Sequence, residues 1–525
     1  MPKESLIIRV LLASLIALTA SACAVNAVTG ERNFQVYGSE WEQEVGQQMY
    51  APMKQSQGGD FILDPELNAY LNDVGSRLAQ QARRKDEFQF EFSIINSSIP
   101  NAWALPGGKI VVNRGLLTQL HSEAELAAVL GHEIVHADAA HAARQQSKGM
   151  LAQVGAVATM VVLGSSVDDP TAREMAMMVP ALGMQLIMQR YGRDAEREAD
   201  EYGMLYMQEA GYNPEGAVEL QQTFIALSDK KSEDWLSGLF ASHPPSTERL
   251  ENNRETAAEL PQGGETNEQG YQQKTAFLRR LEPAYAAYDE ANTALKADQL
   301  DEAQAKISEA LRMEPREALF HALQGDIYRQ QNQSSRALAS YQKAVKANGD
   351  LFYGYLRKGQ VEYALERYDP ARSSLNKSLE LLPTADAHFF LGLMDKRTGD
   401  REAAVAHFQQ AAQSSSEAGK DAQRELVLLD LADNPSAYIA TRPAMDSSNQ
   451  VWVQLGNQTS VAMKNILINV TWLDDQGQTR RSQKLIKGPL AGGEQTQEQL
   501  GIELSGVQQL SSRVRLEVSA AEVDR

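Results

Sequence analysis

Two histidines flanking a glutamate, His132-Glu133-Ile134-Val135-His136, are the residues of this chain best suited to chemistry. On a helix, residues four apart share a face with Cβ atoms about 6 Å apart. Both imidazoles can therefore reach one metal ion. Glu133 stands beside His132 and can touch water at the ion without ligating it. An H-E-x-x-H segment of this kind supplies two ligands and a general base, and leaves coordination sites for water and substrate. Ser122 and Glu125 form a capping-box pattern that starts the helix. Leu126, Val129, Leu130 and Ile134 are expected to line its buried side.

Two histidines do not close a zinc site, and a third protein ligand is needed. The run Arg193-Asp194-Ala195-Glu196-Arg197-Glu198-Ala199-Asp200 offers Glu196 and Glu198. Asp200 follows Glu196 by four residues, so these two share a face while Glu198 points elsewhere. That spacing favours Glu196 as ligand and Asp200 as acceptor of the free N–H of a liganding histidine. Arg193 and Arg197 are placed to orient the acids. The competing reading is a solvated, salt-bridged helix face; the preceding H-E-x-x-H weighs towards the ligand. The helix is expected from about Met184 to Ala210, ending at Gly211 with Pro214 beyond. His141 comes nine residues after His132, on the far side of a continuing helix. Neither it nor His121 is expected to ligate, and His321, His388 and His407 are read as structural.

These residues need elements to position them. Asp64 and Pro65 read as N-cap and first residue of a helix with the stripe Leu67, Tyr70, Leu71, Val74 and Leu78. Residues 88–94 alternate as a half-buried strand, Asn101 to Gly108 reads as a turn, and Lys109–Asn113 is a second strand. Residues 35–252 form one unit on this reading. The polar stretch 253–282, with Pro261, Gly263, Gly264 and Gly270, reads as a linker. Over 283–430 the small residues Ala291, Gly325, Gly359 and Gly392 recur at intervals of 34, 34 and 33. Twelve positions after each stands Ala303, Ala337, Ala371 or Ala404; sixteen after stands Ile307, Tyr341, Leu375 or Phe408. This is the tetratricopeptide period, which stacks helix pairs into a solenoid with a concave face. Residues 445–525 alternate apolar and polar at Val451, Val453 and Leu455, at Ile466 to Trp472, and at Val514 to Val518. The expected architecture is mainly α and multidomain: an α+β zincin-like domain, an α-solenoid and a small C-terminal β-sandwich.

At 525 residues the chain exceeds one ordinary core. Its net charge of −19 argues against a broad nucleic-acid surface, so no nucleic-acid partner is expected. Lys3 and Arg9, the apolar run Val10 to Ala20 and Ala20-Ser21-Ala22-Cys23 read as a signal peptide over 1–23. Cys23, the single cysteine, sits as in a lipobox, although Ala20 stands where Leu is commoner; ordinary cleavage after Ala22 is the alternative. Lipidation, with no Asp next to Cys23, would anchor the protein to the outer membrane facing the periplasm. Gly149 to Val167 approaches the length of a membrane span. Its glycines and weak hydrophobicity favour a buried or amphipathic helix pair, with surface contact to a membrane as a further option.

The H-E-x-x-H, the Gly192 to Asp200 run and Asn101-Ala102-Trp103-Ala104-Leu105-Pro106-Gly107-Gly108 together resemble the HtpX and CAAX-prenyl-protease family of zinc metallopeptidases. Gly192 stands where that family usually has Ser. The resemblance implies one zinc ion held by His132, His136 and Glu196, with Glu133 as the general base that deprotonates water and returns the proton to the leaving amine. It implies that the segment after Asn101–Gly108 forms an edge strand, so that residues from Trp103 to Val112 would pair with an extended substrate backbone. It also implies that His243, in Ser242-His243-Pro244-Pro245-Ser246, takes a fourth, regulatory position; a plain surface-loop histidine is the alternative. The oxyanion stabiliser stays open, with Arg249 and His243 as candidates. Together with a signal peptide and tetratricopeptide array, the resemblance implies a periplasmic endopeptidase in quality control and assembly of outer-membrane proteins. Its clients would be unfolded or misassembled outer-membrane proteins, and the repeats would dock the assembly machinery. A chaperone or scaffold with a mostly latent peptidase is the second reading.

Overall fold

The computed structural model describes residues 23–150, 191–228, 243–505 and 510–524. It divides into two units, 1–332 with 343–351, and 333–342 with 352–525. Residues 1–22, expected as a signal peptide, and the apolar run beyond residue 150, expected as a helix pair, lie outside the described residues. Among the described residues no helix is long and apolar enough to cross a membrane.

In the first unit β1 (Cys23–Val25) pairs antiparallel with β2 (Arg32–Phe34), ahead of α1 (Ser39–Ser56). Asp64 caps α2 (Pro65–Ala79) by accepting from the Leu67 amide at 3.0 Å, as the Asp-Pro pair suggests. Three strands follow: β3 (Glu91–Ile95), β4 (Ala102–Leu105) and β5 (Lys109–Asn113). β5, the strand after Gly108, is the middle strand and not the expected edge; it runs parallel to β3 and antiparallel to β4, so among the described residues the edge is β4, formed by residues expected in a turn. β3 begins at Glu91 rather than at residue 88.

The helix carrying H-E-x-x-H is α3 (Glu123–Asp138). Ser122 Oγ accepts from the Glu125 amide at 3.1 Å, while the Glu125 carboxylate turns back to the His121 amide rather than to that of Ser122. The expected single buried side is an underestimate. All of α3 is buried, because helices and the sheet surround it. Against it pack α2, α4 (Arg193–Glu209), α5 (Glu215–Ser228) and α7 (Glu268–Lys296), while α6 (Thr247–Glu259) packs on α4 and α5. α4 starts at Arg193; the residues before 191 expected to extend it lie outside the described ones.

Glycine sets how closely α3 and α4 cross. A methyl on Gly203 would stand 3.0 Å from the His132 backbone nitrogen, and one on Gly131 would stand 3.0 Å from the Gly203 carbonyl oxygen. A side chain at either position would press on the backbone opposite, and the crossing falls beside His132. One apolar core then runs from α2 and the sheet through α3 into Leu278, Ala291, Ala303 and Ile307.

The linker reading of 253–282 is overturned. Helix α6 continues to Glu259 and α7 begins at Glu268, leaving only a short connection. The stretch is polar because just one side of each helix is covered. Asn253, Ala257, Tyr271, Thr275, Leu278 and Leu281 are buried, too sparse a set to register as a core pattern.

The repeat helices are α8 (Leu300–Met313), α9 (Ala318–Gln330), α10 (Ser334–Ala347), α11 (Phe352–Ala364), α12 (Tyr368–Leu381), α13 (Ala385–Thr398), α14 (Arg401–Ala411) and α15 (Glu417–Asp430). The recurring columns have a direct steric meaning. A methyl on Gly359 would stand 2.7 Å from the Leu375 side chain, and one on Gly392 would stand 2.7 Å from that of Phe408. The small residue makes room for the large one sixteen positions later.

The second unit ends in two antiparallel three-stranded sheets. One is ordered β10 (Gln495–Glu503), β7 (Gln450–Asn457), β6 (Ile439–Met445); the other is β11 (Val514–Val523), β8 (Met463–Leu473), β9 (Thr479–Ile486). Val451, Val453, Ile466, Ile468 and Val470 meet in their shared core. The first strand begins at Ile439, before the expected start at 445, because Arg442 and Pro443 hide its alternation.

Candidate metal centre

His132 and His136 are buried on α3, Glu196 is buried on the facing α4, and His243 is buried just ahead of α6. One ligand atom from each of the four lies within 4.8 Å of the others. His132 Nε2 is 3.0 Å from His136 Nε2 and 3.3 Å from His243 Nδ1. Glu196 oxygens stand 3.6 Å from His132 Nε2, 3.5 Å from His136 Nε2 and 2.9 Å from His243 Nδ1. Tetrahedral zinc with bonds of about 2.1 Å would hold its ligand atoms about 3.4 Å apart. The donors are therefore at the spacing of one ion, and nitrogen with carboxylate is a zinc donor set.

Both α3 histidines are backed by an acceptor. His132 donates from Nδ1 to Asp200 Oδ1 at 2.9 Å, which turns the Nε2 lone pair towards Glu196 and His136. His136 Nδ1 lies 2.8 Å from His141 Nδ1, and His141 Nε2 lies 3.4 Å from Glu198 Oε1. His141 Nε2 makes no hydrogen bond among the described residues; with its proton there, facing the Glu198 carboxylate, His141 Nδ1 accepts from His136 and leaves the His136 Nε2 lone pair free for a cation. The expectation that His141 lies across a continuing helix fails. α3 ends at Asp138, Ala140 has φ 54, and the turn brings His141 back under His136. Glu198 does point away from the four donors, as its spacing suggests, and holds Asn26 and Arg144 besides.

Arg193 and Arg197 were expected to orient the acids, yet Arg197 instead pairs with Glu248 at the surface. The orienting cation is Arg249, nine-tenths buried, with two nitrogens 2.7 Å from Asp200 oxygens and a third 3.1 Å from Glu196 Oε2. Ser246 caps its helix by accepting from the Arg249 amide at 3.1 Å. A signal was present in the chain, since Ser246 and Arg249 follow His243 within one turn of a helix start.

Electrostatics follow from burial and these pairs. Burial opposes the Asp200 charge, but Arg249 and His132 outweigh it and hold the carboxyl well below its ordinary value. Glu196 is likewise held low, by His243, His132 and Arg249 against burial. Burial, reinforced by the neighbouring histidines, keeps the His136 pKa low, so that ring is neutral and able to bind metal. Burial is opposed at His243 by Glu196 and Glu133, which raise it. Glu133 is raised by burial; its Oε2 is buried without a hydrogen-bond partner among the described residues, and its Oε1 is 3.5 Å from His243 Nε2. An unpartnered buried carboxylate oxygen beside a metal-type donor set suits a base waiting for water.

Residues 65–257 match peptidase family M48, and residues 288–351 and 356–426 match the tetratricopeptide repeat. The chain is 27% identical over 362 residues to the beta-barrel assembly-enhancing protease of Escherichia coli strain K12, covering 62% of this chain and 73% of that one. It is 28% identical over 382 residues to the protein of that name from Yersinia pestis, covering 66% and 77%. It is 29% identical over 203 residues to a mitochondrial metalloendopeptidase of Arabidopsis thaliana, covering 37% and 39%. With the H-E-x-x-H, the buried donor cluster and these matches in hand, residues 65–257 are an M48-type zinc metallopeptidase domain, and tetratricopeptide repeats follow it in the chain.

Proposed function

We propose that this protein is a periplasmic zinc endopeptidase acting in the assembly and quality control of outer-membrane proteins, which cleaves misfolded or stalled clients. The observation that carries the peptidase reading is the set of four buried donors with Glu133 beside them. The names of the bacterial relatives support the assembly role. His132, His136 and Glu196 would hold one zinc ion, which when bound supplies Lewis-acid polarisation of water and of the scissile carbonyl. Glu133 takes the proton of the attacking water and returns it to the leaving amine. Asp200 and Arg249 keep His132 and Glu196 aimed.

Among the described residues β4 is an edge of its sheet, and an extended client would add a strand there. Ala102 on β4 lines the same cavity as His132 and Glu133, which supports that reading. Clients would then be chosen for extended shape more than for long sequence motifs. The repeat solenoid would bind clients or the assembly machinery. The anchor would be a lipid on Cys23; mass analysis of the mature N-terminus is expected to show a diacylated cysteine, and an unmodified Cys23 or a start at Ala24 rules the anchor out.

One observation favours a second reading, a scaffold with a mostly latent peptidase. His243 completes a four-donor set, and a closed zinc site lacks the open corner that catalysis needs. We place His243 as a removable plug. His243→Ala is expected to raise casein cleavage severalfold while zinc content stays at one per chain. A chelator should abolish cleavage in both proteins, and added zinc should restore it. Chelator-resistant cleavage sinks the zinc reading, and unchanged cleavage by His243→Ala sinks the plug.

A further inference from the structure

Behind His136 the fold brings in a residue from far away in the chain. Asn26, in the turn between β1 and β2, is only 5% exposed. Its Oδ1 accepts from the Val28 amide at 2.9 Å and from the Thr29 amide at 3.4 Å. That use of the oxygen turns the side-chain NH2 the other way, where it donates to Glu198 Oε1 at 2.5 Å, across 172 residues of sequence. The turn itself is fastened. The Asn26 amide donates to the Glu31 carbonyl at 2.8 Å, the Gly30 amide donates to the Asn26 carbonyl at 2.9 Å, and Val28 is buried in the core of the first unit. Asn26 is therefore a donor held in place by its own backbone neighbours.

Three groups meet at the Glu198 carboxylate: Asn26 Nδ2, Arg144 Nη1 at 3.3 Å from Oε2, and His141 Nε2 at 3.4 Å from Oε1. Arg144 by itself would draw the carboxylate away from the imidazole. Asn26 holds Oε1, the oxygen that faces His141. The orientation matters two steps further on. A carboxylate facing Nε2 keeps the His141 proton there, so that His141 Nδ1 accepts from His136 Nδ1 at 2.8 Å. With the opposite tautomer two N–H groups would face each other across that distance. His136 would then have to carry its proton on Nε2, the nitrogen 3.0 Å from His132 Nε2 and 3.5 Å from Glu196 Oε1. An imidazole nitrogen that bears a proton cannot bind metal.

We infer that Asn26 is a positioning residue for the metal centre: through Glu198 and His141 it keeps the metal-facing nitrogen of His136 free of a proton. The inference rests on the zinc reading and adds to it that the N-terminal turn, three residues beyond Cys23, belongs to the shell that supports the ligands. Asn26 touches neither the donors nor a substrate; it acts only through the two side chains between.

The test measures the zinc Kd of the full chain by competition with a chelator, for the wild type, Asn26→Ala and Asn26→Asp. Asp keeps the shape and the acceptor oxygen but sets a carboxylate against Glu198. Both variants are expected to raise Kd roughly three- to tenfold, less than the about 10–100-fold of a group bonded directly to a liganding histidine. In a His141→Ala background the Asn26→Ala change should move Kd by less than about twofold, because the route to His136 is already cut. Ser147→Ala serves as control: Ser147 Oγ ties the same N-terminal segment by accepting from the Val36 amide at 2.9 Å, but it has no link to Glu198, and Kd should stay within about twofold. An unchanged Kd in both Asn26 variants overturns the inference. So does an equal rise in the His141→Ala background or in Ser147→Ala, which would mark a general loosening. Nitrogen–proton spectra of the histidine rings in the zinc-free protein read the same effect without metal. The wild type should carry the His136 proton on Nδ1, and Asn26→Asp should move it towards Nε2. If the wild type binds no zinc, the metal reading has failed; an unmoved His136 proton in both Asn26 variants would then overturn the role of Asn26 on its own evidence.

Discussion

Replacing Glu133 with Gln is expected to lower casein cleavage by a factor of about 10²–10⁴, the range supplied by a positioned general base. The amide keeps the shape and fills the same buried space, so no cavity is opened. Burial already disfavours the Glu133 charge, and exchanging it for a neutral amide should leave the unfolding midpoint close to that of the wild type. Zinc should stay bound, because the four donors are on other residues. The comparison needs both readings from one preparation: metal content by mass spectrometry and cleavage rate. Cleavage within tenfold of the wild type, with zinc in place, would remove Glu133 from the chemistry. The same variant divides the two functional readings. If it rescues outer-membrane assembly in cells as well as the wild type does, the scaffold carries the function and the peptidase is incidental.

Asp200→Ala should damage both metal binding and the fold. Asp200 fixes the ring of His132 through a 2.9 Å bond, and loss of such an outer partner weakens metal affinity by about 10–100-fold. It is also the main counter-charge of Arg249, a nine-tenths buried guanidinium held by two 2.7 Å bonds. Arg249 keeps Glu196 at 3.1 Å, so the cost should fall below the about 3–5 kcal/mol of a fully stranded buried charge. Denaturant unfolding of the zinc-free protein isolates this second effect, and zinc titration reads the first. A variant with the wild-type midpoint and zinc Kd would show that Asp200 is one more solvated acid on a salt-bridged helix. The zinc-free comparison matters, since bound metal stabilises the native state and would mask part of the loss.

What could be read along the chain was what depends on neighbours in sequence. His132 and His136 share a face of α3 because four residues make about one turn. The same rule separates Glu196 and Asp200 from Glu198, and the structure does place Glu198 away from the four donors. Caps at Asp64 and Ser122, and the small-then-large columns of the repeats, are likewise local in origin. Where a local pattern was faint, reading failed. Residues 253–282 looked like a linker because each helix there buries a single narrow face, and Ile439–Met445 hid its alternation behind Arg442 and Pro443.

Tertiary structure decided which groups stand behind the ligands. Periodicity along α3 placed His141 out of reach, yet a break after Asp138 folds it under His136. The arginines nearest Glu196 in sequence were natural candidates to steer it, but Arg249 reaches it from another helix. Close contact between α3 and α4 through Gly131 and Gly203 brings the two halves of the donor set together. Helical spacing fixes positions within one element at short range, whereas the approach of separate elements depends on the packing of the whole core. Residue types and intervals were therefore enough to single out His132, Glu133, His136 and Glu196, which the fold brings together. The partners behind them, His141 and Arg249, became visible only once the helices were packed.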